Sequence, residues 1–339
     1  MKQIKNLNIE VLRFMAVVGV ILIHMTMQHY YDPNLMSKNY LAWISSHIYY
    51  TISRFCVPVF FIIAAYISFN NKSQKGLASR LIRIGIPFIT WSVIYYVYNG
   101  GGSFIEFIIR LFTRSTSFHL WFIAPFIGFM FALPLVKHVF YEEGKDKFKY
   151  LFWVVFFFTI CLPSIIAYSK LMPGDYGFLS GLNQFNLTFP SFLLYAMAFP
   201  YMHKKVRVLP ALLIYFALLS LNSWLNLNAS GLAGKPDERF YGFNTLIVFL
   251  SSYVIFNIVM SLDFSWLPNT LTRFVLTVGE CSFGVYLVHW LVFIVLEKYE
   301  FVMRGRAIVD PAVNTLIIFL VSVFIVWLAR RIKFFRYFV

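Results

Sequence analysis

Long apolar segments recur along the whole chain, separated by short polar segments rich in Lys and Arg. An α-helix needs about 20 mostly apolar residues to cross a bilayer. We predict ten transmembrane helices, at residues 9–28, 48–69, 80–99, 118–138, 148–169, 187–203, 207–228, 241–261, 274–296 and 312–330. The pattern therefore predicts an all-α polytopic membrane protein in which residues 1–339 form a single integral membrane domain.

The composition agrees with insertion in lipid. Hydrophobic residues make up 60% of the chain and charged residues 13%, whereas about a quarter of a typical soluble domain is charged. The net charge of +15 does not indicate a nucleic-acid partner, because Lys and Arg lie in short clusters between apolar segments. Cys56, Cys161 and Cys281 fall inside apolar segments, which predicts core positions and no disulfide framework.

The distribution of charge predicts an orientation. With ten spans both termini lie on one side, and segments on that side hold about twice as many Lys and Arg as the opposite segments, which places both termini in the cytoplasm. The first apolar segment lacks a small-residue cleavage site, so we expect a retained helix, not a signal peptide. Segment 104–116 is too short to span and is expected to be interfacial or re-entrant, either lining a pocket or packing on the membrane surface.

Arg13 and His24 in the first span are the most informative pair. Eleven residues correspond to roughly 1100°, within about 20° of three full turns, so both lie on one helix face about 16 Å apart. Arginine and histidine within a membrane are costly and usually face a bundle interior or a wet cavity, where they serve a function. Glu10, one turn before Arg13, is its expected partner.

Further polar side chains lie at matching depths in other spans. Arg80 and Arg83 open the third span and share a face with Pro87, on the side that holds Arg13. Three histidines, among them His24, fall in the other half of the bilayer above these arginines. The additional candidates for a site are Arg54, His119, Trp121, Ser282, Tyr286 and His289.

Each of these residues also has a purely structural interpretation. Arg80 and Arg83 are possible membrane anchors, His119 a possible interfacial residue, and His289 a possible core hydrogen-bonding group. Tyr286 and Trp121 are common packing residues in so aromatic a chain. The remaining histidines lie at segment ends and are predicted to be surface residues: His29, His47, His138 and His203.

No metal site is predicted. The three membrane histidines come from separate spans, and the chain has neither an H-E-x-x-H motif nor a pair of ligands four residues apart on one helix. The sequence also lacks G-x-S-x-G, P-loop and dinucleotide-binding glycine patterns.

Several motifs resemble those of the acyltransferase 3 family of integral membrane acyltransferases. Arg13 and His24, with ten residues between them, match its R-X10-H motif, and Glu10 stands where the family more commonly has Asp. Residues 57–66 resemble the family's second helix, although Ala65 replaces the usual glycine. Three further segments resemble family motifs and follow the family's order along the chain. They are Arg80 and Arg83 to Pro87, which resembles the arginine motif of the third helix, then Phe118–Phe122 and Ser282–His289.

The resemblance implies transfer of an acyl group, usually acetyl from acetyl-CoA, to a sugar hydroxyl of a cell-envelope glycan. Acceptors of the family include O-antigen, enterobacterial common antigen and exopolysaccharide, which implies a location in the bacterial cytoplasmic (inner) membrane among its lipids. The resemblance makes His24 essential to transfer and Arg13 its partner in the catalytic motif. Acetyl-CoA is then a substrate, and no bound cofactor is expected.

The chemistry of these residues fits that reaction. Arginine binds phosphate through charge-assisted bonds, so Arg13, Arg80 and Arg83 are candidates to hold coenzyme A at the cytoplasmic side. A neutral His24 is suited to act as a general base, or alternatively to carry the acyl group itself. Trp121 and Tyr286 are candidates to contact the sugar. The competing hypotheses are a transporter or flippase of a glycan or lipid-linked sugar, and a non-catalytic partner of a polysaccharide assembly.

Overall fold

The computed structural model describes residues 6–70, 77–113, 115–171 and 192–339. These residues form helices joined by turns and loops, with no β-strand among them, which confirms the all-α prediction. The α-helices are α1 (Leu7–Tyr30), α2 (Pro33–Lys38), α3 (Tyr40–Ser53), α4 (Cys56–Asn70), α5 (Leu77–Tyr98), α6 (Phe104–Thr113), α7 (Ile123–Tyr141), α8 (Lys145–Phe156), α9 (Leu162–Ser169), α10 (Leu193–Met202), α11 (Val208–Ala233), α12 (Leu246–Ser261), α13 (Asn269–Lys298) and α14 (Asp310–Arg331).

Eight helical segments of the described chain are long and apolar enough to cross a membrane, as a multi-pass membrane protein requires. Two of the ten predicted spans correspond to shorter apolar helices, α10 with 10 residues and α12 with 16. At 1.5 Å per residue they are about 15 and 24 Å long, less than the about 30 Å of the hydrocarbon core. Residues 187–191 of the sixth predicted span lie outside the described residues, as do Lys2, Lys5, Lys72 and Lys75, on which the predicted orientation partly depends.

The second predicted span is not a continuous helix. It consists of α3 and α4, separated by a turn at Arg54 and Phe55. Pro58 accounts for this break, because proline has no backbone N–H and its ring clashes with the carbonyl of the residue four positions earlier, which is Arg54. The expectation of a helix running through Arg54 is therefore corrected, and the break frees its side chain to reach the loop that follows α11.

Helix α1 is central to the bundle and packs against α3, α4, α12, α13 and α14. Asn6 caps it by accepting a hydrogen bond from the backbone N–H of Asn8. The Asn8 amide in turn donates to the carbonyls of Val259 and Leu262 at 2.7 and 2.8 Å, which joins the start of α1 to the end of α12. Such polar contacts, together with close packing, associate helices in lipid, where the hydrophobic effect does not.

Two glycines allow α1 to lie very close to its neighbours. A Cβ added at Gly19 would lie 2.9 Å from the Cβ of Cys56 on α4. A Cβ added at Gly279 on α13 would collide with the Glu10 carboxylate of α1. Small residues at helix contacts permit this approach of backbones. Helix α1 is consequently held close against α4 and α13.

The periphery of the bundle exposes apolar side chains. On α14 they recur every four residues, at Leu316, Leu320, Phe324 and Leu328. On α11 the set includes Leu209, Leu213, Phe216 and Trp224. Continuous apolar faces of this size are typical of surfaces that contact lipid.

Helix α6 corresponds to the short segment that was expected to be interfacial or re-entrant. It packs against the end of α5 through Phe107 and Tyr96, whose ring centroids lie 5.3 Å apart, while Phe104 and Phe112 are exposed. In the described part of the chain, α6 lines neither of the two cavities described below. Neither of these two cavities therefore has α6 as a wall.

Candidate active site between two cavities

A cavity of about 430 Å³ lies at the end of the bundle where α1 and α5 begin. Arg13, Arg80 and Arg83 line it together with Ser282 and Tyr286 of α13 and apolar side chains of α4, α5 and α7. We call it the arginine cavity. The three arginines that the sequence places at one depth therefore face one space, and each is aimed at it from α1 or α5.

The charge of Arg13 is partly balanced by Glu10. Nη1 of Arg13 donates to both carboxylate oxygens of Glu10, at 3.0 and 3.2 Å. Glu10 is buried against Gly279, so the carboxylate cannot move freely, and this fixes the guanidinium at the cavity. The predicted partnership of Glu10 with Arg13 is present in the structure.

A second cavity, of about 240 Å³, lies further along α1 and is lined by His24. We call it the histidine cavity. No described residue lines both cavities. The helical turn Phe118–Phe122, which precedes α7, lies between them, since Phe118 and Trp121 face the histidine cavity and Phe122 faces the arginine cavity. The other polar and aromatic residues of the histidine cavity are Tyr31, Tyr50, Arg54, Glu238 and Phe243.

His24 and His289 form a hydrogen-bonded pair. Nδ1 of His24 lies 2.8 Å from Nε2 of His289, and the two rings are stacked 5.0 Å apart at 6°. Nδ1 of His289 lies 2.7 Å from the backbone carbonyl of Tyr286, one turn earlier on α13. His24 is 9% exposed and His289 fully buried, so protein atoms fix the partners of both His289 nitrogens and of Nδ1 of His24.

This pattern assigns the protons of the neutral pair. A carbonyl oxygen only accepts, so Nδ1 of His289 carries the hydrogen and Nε2 of His289 is left as an acceptor. His24 must then donate from Nδ1, which leaves the lone pair of His24 on Nε2. The Tyr286 carbonyl thus fixes the tautomer of His289, and His289 in turn fixes the tautomer of His24. Catalytic imidazoles are commonly held in one tautomer by a hydrogen-bond acceptor of this kind.

The third predicted histidine packs around this pair. His119 is fully buried, lies edge-on to His289 at 5.2 Å between centroids, and pairs through Nδ1 with the Ser117 hydroxyl at 2.9 Å. The Tyr286 hydroxyl donates to the His119 carbonyl, and the Ser282 hydroxyl donates to the Gly279 carbonyl at 2.9 Å. His119 is therefore not interfacial, and within the described ranges no cluster of three or more His, Cys, Asp or Glu residues is arranged to hold a metal ion.

Arg54 and Glu238 bring opposite charges to the histidine cavity. The Arg54 guanidinium donates to the Tyr241 carbonyl and lies over the rings of Tyr50 and Phe243, at 5.0 and 4.5 Å from their centroids. The Glu238 carboxylate accepts hydrogen bonds from the hydroxyls of Tyr31 and Tyr50, at 2.5 and 3.1 Å. Burial, then the neighbouring Tyr50 and Glu238, raise the pKa of Tyr31, so its hydroxyl remains a donor at neutral pH.

The loop between α11 and α12 that carries Glu238 is anchored on both sides. The Tyr30 hydroxyl donates to the Asp237 carbonyl at 2.8 Å. Burial alone would raise the pKa of Asp237, but hydrogen bonds from Arg239 hold it below its usual value, and the two form an ion pair at 2.5 Å. Asn226 accepts from the backbone N–H of Phe240 at 3.2 Å. These contacts hold Glu238 at a defined position.

Sequence reasoning missed two parts of this region. Glu238 lies in a polar loop, where one carboxylate among several charges gives no signal of its own. His47 was predicted to be a surface residue, but it is fully buried and pairs with the hydroxyls of Ser223 and Tyr241, because α3 starts earlier than the predicted span. Arg54 was a candidate from the sequence, and the structure gives it aromatic neighbours that the sequence did not indicate.

Comparison with protein-family models identifies a match over nearly the whole chain. The model described as an acyltransferase domain, of the acyltransferase 3 family, covers residues 6–331. No curated protein and no solved structure matches the chain. The matched range contains every candidate residue described above, from Glu10 to His289.

Proposed function

This chain belongs to the acyltransferase 3 family of membrane acyltransferases, and we propose that it moves an acetyl group from cytoplasmic acetyl-CoA to a hydroxyl of a cell-envelope glycan in the bacterial cytoplasmic membrane. The observation that carries this proposal is the imidazole of His24, held in one tautomer at the edge of one cavity while three arginines line another. A fixed proton acceptor between an anion-binding space and an aromatic space suits transfer between two different substrates.

The donor enters from the arginine cavity in this proposal. Arginine recognises phosphate through charge-assisted and often bidentate hydrogen bonds, and Arg13 is already oriented by Glu10. The narrow pantetheine arm follows the apolar lining toward Phe122 and Tyr286 at the far side of that cavity. Tyr286 lies one turn before His289, so the thioester at the end of the arm approaches the histidine pair.

The acceptor occupies the histidine cavity. A volume of about 240 Å³ is below the roughly 300–1,000 Å³ of pockets for drug-sized ligands, which suits a single sugar ring of a longer glycan. Trp121 and Phe243 are stacked 5.7 Å apart and offer aromatic surface to the ring. Arg54 and Glu238 supply a donor and an acceptor for its hydroxyls.

The chemistry then needs one proton acceptor. Nε2 of His24 takes the proton of the sugar hydroxyl as that oxygen attacks the thioester carbonyl. The tetrahedral intermediate collapses by breaking the carbon–sulfur bond, and the departing thiolate of coenzyme A receives the proton back from His24. His289 stabilises the imidazolium by accepting from Nδ1 throughout. The products are the O-acetyl glycan and free coenzyme A.

The transporter hypothesis explains buried charges but gives no role to the oriented lone pair of His24. Family membership also favours an acyltransferase over a transporter. We therefore do not propose transport as the function.

The proposal is tested by release of free coenzyme A from purified protein in nanodiscs, supplied with acetyl-CoA and envelope glycan. Release is expected only when both substrates are present. Arg13→Ala is expected to raise the KM for acetyl-CoA by roughly 10-fold or more, since a hydrogen bond to a charged group contributes about 1.5–3 kcal/mol, while the glycan KM changes little. Absence of release with any envelope glycan, or an unchanged acetyl-CoA KM for Arg13→Ala, would contradict the proposed donor site.

Glu238→Gln tests the acceptor site in the same assay. Glutamine keeps the size of the side chain but removes the charge that strengthens hydrogen bonds to sugar hydroxyls, so the glycan KM is expected to rise roughly 10-fold with the acetyl-CoA KM unchanged. Glu300→Gln is the matched control, because Glu300 is exposed and lies just after the end of α13. This variant is expected to behave as wild type. An equal change in both KM values would show that Glu238 does not act on the acceptor.

A further inference from the structure

A second space at the same end of the bundle as the arginine cavity has no role in the steps above. It is a groove of about 830 Å³ between the start of α5, the end of α14 and the segment that follows α14. Four cationic side chains line it, Arg83, Arg330, Lys333 and Arg336, together with one acidic side chain, Glu280. The groove is thus both large and strongly basic.

Among the described residues, one ion pair partly balances the charge of the groove. Arg330 lies 3.6 Å from Glu280. In the part of the chain that the structure describes, no carboxylate oxygen lies within 4 Å of a nitrogen of Arg83, Lys333 or Arg336. Three clustered cations without carboxylate partners are a strong site for a multiply charged anion.

The groove is continuous with the arginine cavity. Arg83, Glu280 and Phe283 line both spaces, so a single elongated ligand can occupy the two together. The groove also has an apolar side, formed by Ile82, Ile86 and Tyr337, which suits a planar ring next to the anion. A ligand with a charged, ring-containing head and a narrow tail matches this pair of spaces.

The basic residues after α14 are positioned by contacts with the bundle. Trp91 of α5 donates its indole N–H to the Phe338 carbonyl at 2.8 Å. The side chain of Val339 lies over Gly284 of α13. These contacts hold Arg336 and Tyr337 beside α5, where they face the groove.

We propose that this groove binds the nucleotide of the acyl donor, with Lys333 and Arg336 holding the 3′-phosphate of coenzyme A and Tyr337 beside the adenine. This inference rests on the proposed function, because it assigns the remaining half of the same donor. A phosphate monoester carries nearly two negative charges at neutral pH. Arg83, Lys333 and Arg336, which have no carboxylate partner among the described residues, match that charge. Arg83 then lies at the junction, where the nucleotide continues into the pantetheine arm.

The test compares binding of coenzyme A with binding of 3′-dephospho-coenzyme A, which lacks only the phosphate in question. Wild-type protein in phosphatidylcholine nanodiscs is titrated calorimetrically with each ligand, so no acceptor is needed. We expect wild type to bind coenzyme A roughly 10-fold or more tightly than 3′-dephospho-coenzyme A, because the analogue cannot form the charge-assisted hydrogen bonds to the 3′-phosphate. Lys333→Ala and Arg336→Ala are each expected to reduce this preference, and the double variant to abolish it.

Arg331→Ala is the matched control. Arg331 is a neighbouring cation on α14 but stacks on Trp327, at 4.7 Å from the ring centroid, and does not line the groove. The Arg331→Ala protein is expected to prefer coenzyme A over 3′-dephospho-coenzyme A by the same factor as wild type. The charge-conserving variants Lys333→Arg and Arg336→Lys are expected to retain most of the preference. That result would show that the alanine variants lose the preference because they lose a positive charge, and not because they fold poorly.

The alternative ligand with the same chemistry is the headgroup of an anionic phospholipid. If the double variant discriminates as well as wild type, while phosphatidylglycerol in the nanodisc changes wild-type but not variant stability, the groove is a lipid site and the inference is wrong. Equal binding of both nucleotides by wild type would also overturn it, and would leave acyl transfer itself intact. Failure of wild type to bind coenzyme A at all would overturn both this inference and the proposed donor.

Discussion

Replacing His24 with alanine is expected to lower the turnover of acyl transfer roughly 100- to 10,000-fold, the usual contribution of a positioned general base. The substitution removes the only nitrogen that the histidine pair leaves as an acceptor at the cavity. The methyl group cannot accept the hydroxyl proton, so the sugar oxygen must attack as a neutral alcohol. Turnover is measured as release of coenzyme A at saturating concentrations of both substrates.

His138→Ala is the matched control for this variant. His138 is exposed near the end of α7 and is expected to be replaceable with near wild-type turnover. Elution of both variants as monodisperse species from a sizing column shows that they are folded. A folded His24→Ala protein with wild-type turnover would refute the role of His24 as base.

The second large effect is expected at His289, which acts through His24 and is a positioning residue. His289→Ala removes the acceptor for Nδ1–H of His24 and frees the ring to rotate. Misplacement of a reacting group by about 1 Å is enough to cost on the order of 100-fold in rate, so kcat is expected to fall by about that factor with little change in either KM.

His289→Gln separates orientation from packing. The side-chain oxygen of glutamine can accept from Nδ1 of His24, whereas alanine cannot, so we expect glutamine to restore a substantial part of kcat. A purely structural role predicts equal losses for both variants, together with loss of folded protein. Equal kcat values for the two folded variants would therefore contradict the orientation of His24 by His289.

The part of the site that follows helix periodicity could be predicted from the sequence. Arg13 and His24 share a face of α1, and one helix fixes their separation without knowledge of any contact. The stripe of Ser282, Tyr286 and His289 on α13 follows from the same rule. The sequence placed His24 and His289 at a similar depth, but the contact between them was not predicted and became visible only in the structure.

The rest depended on tertiary contacts that no single segment encodes. The partners of Arg54 became visible only with the break before α4 and the return of the loop after α11. Glu238 accepts hydrogen bonds from two tyrosines that are remote from it in sequence. The hydrogen-bond order from Tyr286 through His289 to His24 likewise requires atomic positions, because spacing alone does not say which nitrogen faces which partner.

The division into two cavities adds detail to the interpretation of Arg13 and His24. From the sequence they are two groups on one face, about 16 Å apart along the helix. In the structure each lines a different space, and the turn Phe118–Phe122 lies between those spaces. The two residues therefore line separate spaces along α1 and do not form a contacting dyad, and the proposed function assigns the donor to one space and the acceptor to the other.

The most direct test of the central claim follows an isotope-labelled acetyl group from acetyl-CoA to envelope glycan. Nanodiscs with wild-type protein or with His24→Ala are incubated with labelled donor, and the glycan is analysed by mass spectrometry. The account predicts labelled O-acetyl groups on a sugar for wild type and almost none for His24→Ala. Equal labelling by both proteins, or unlabelled glycan with wild type across the envelope glycans tested, would contradict it.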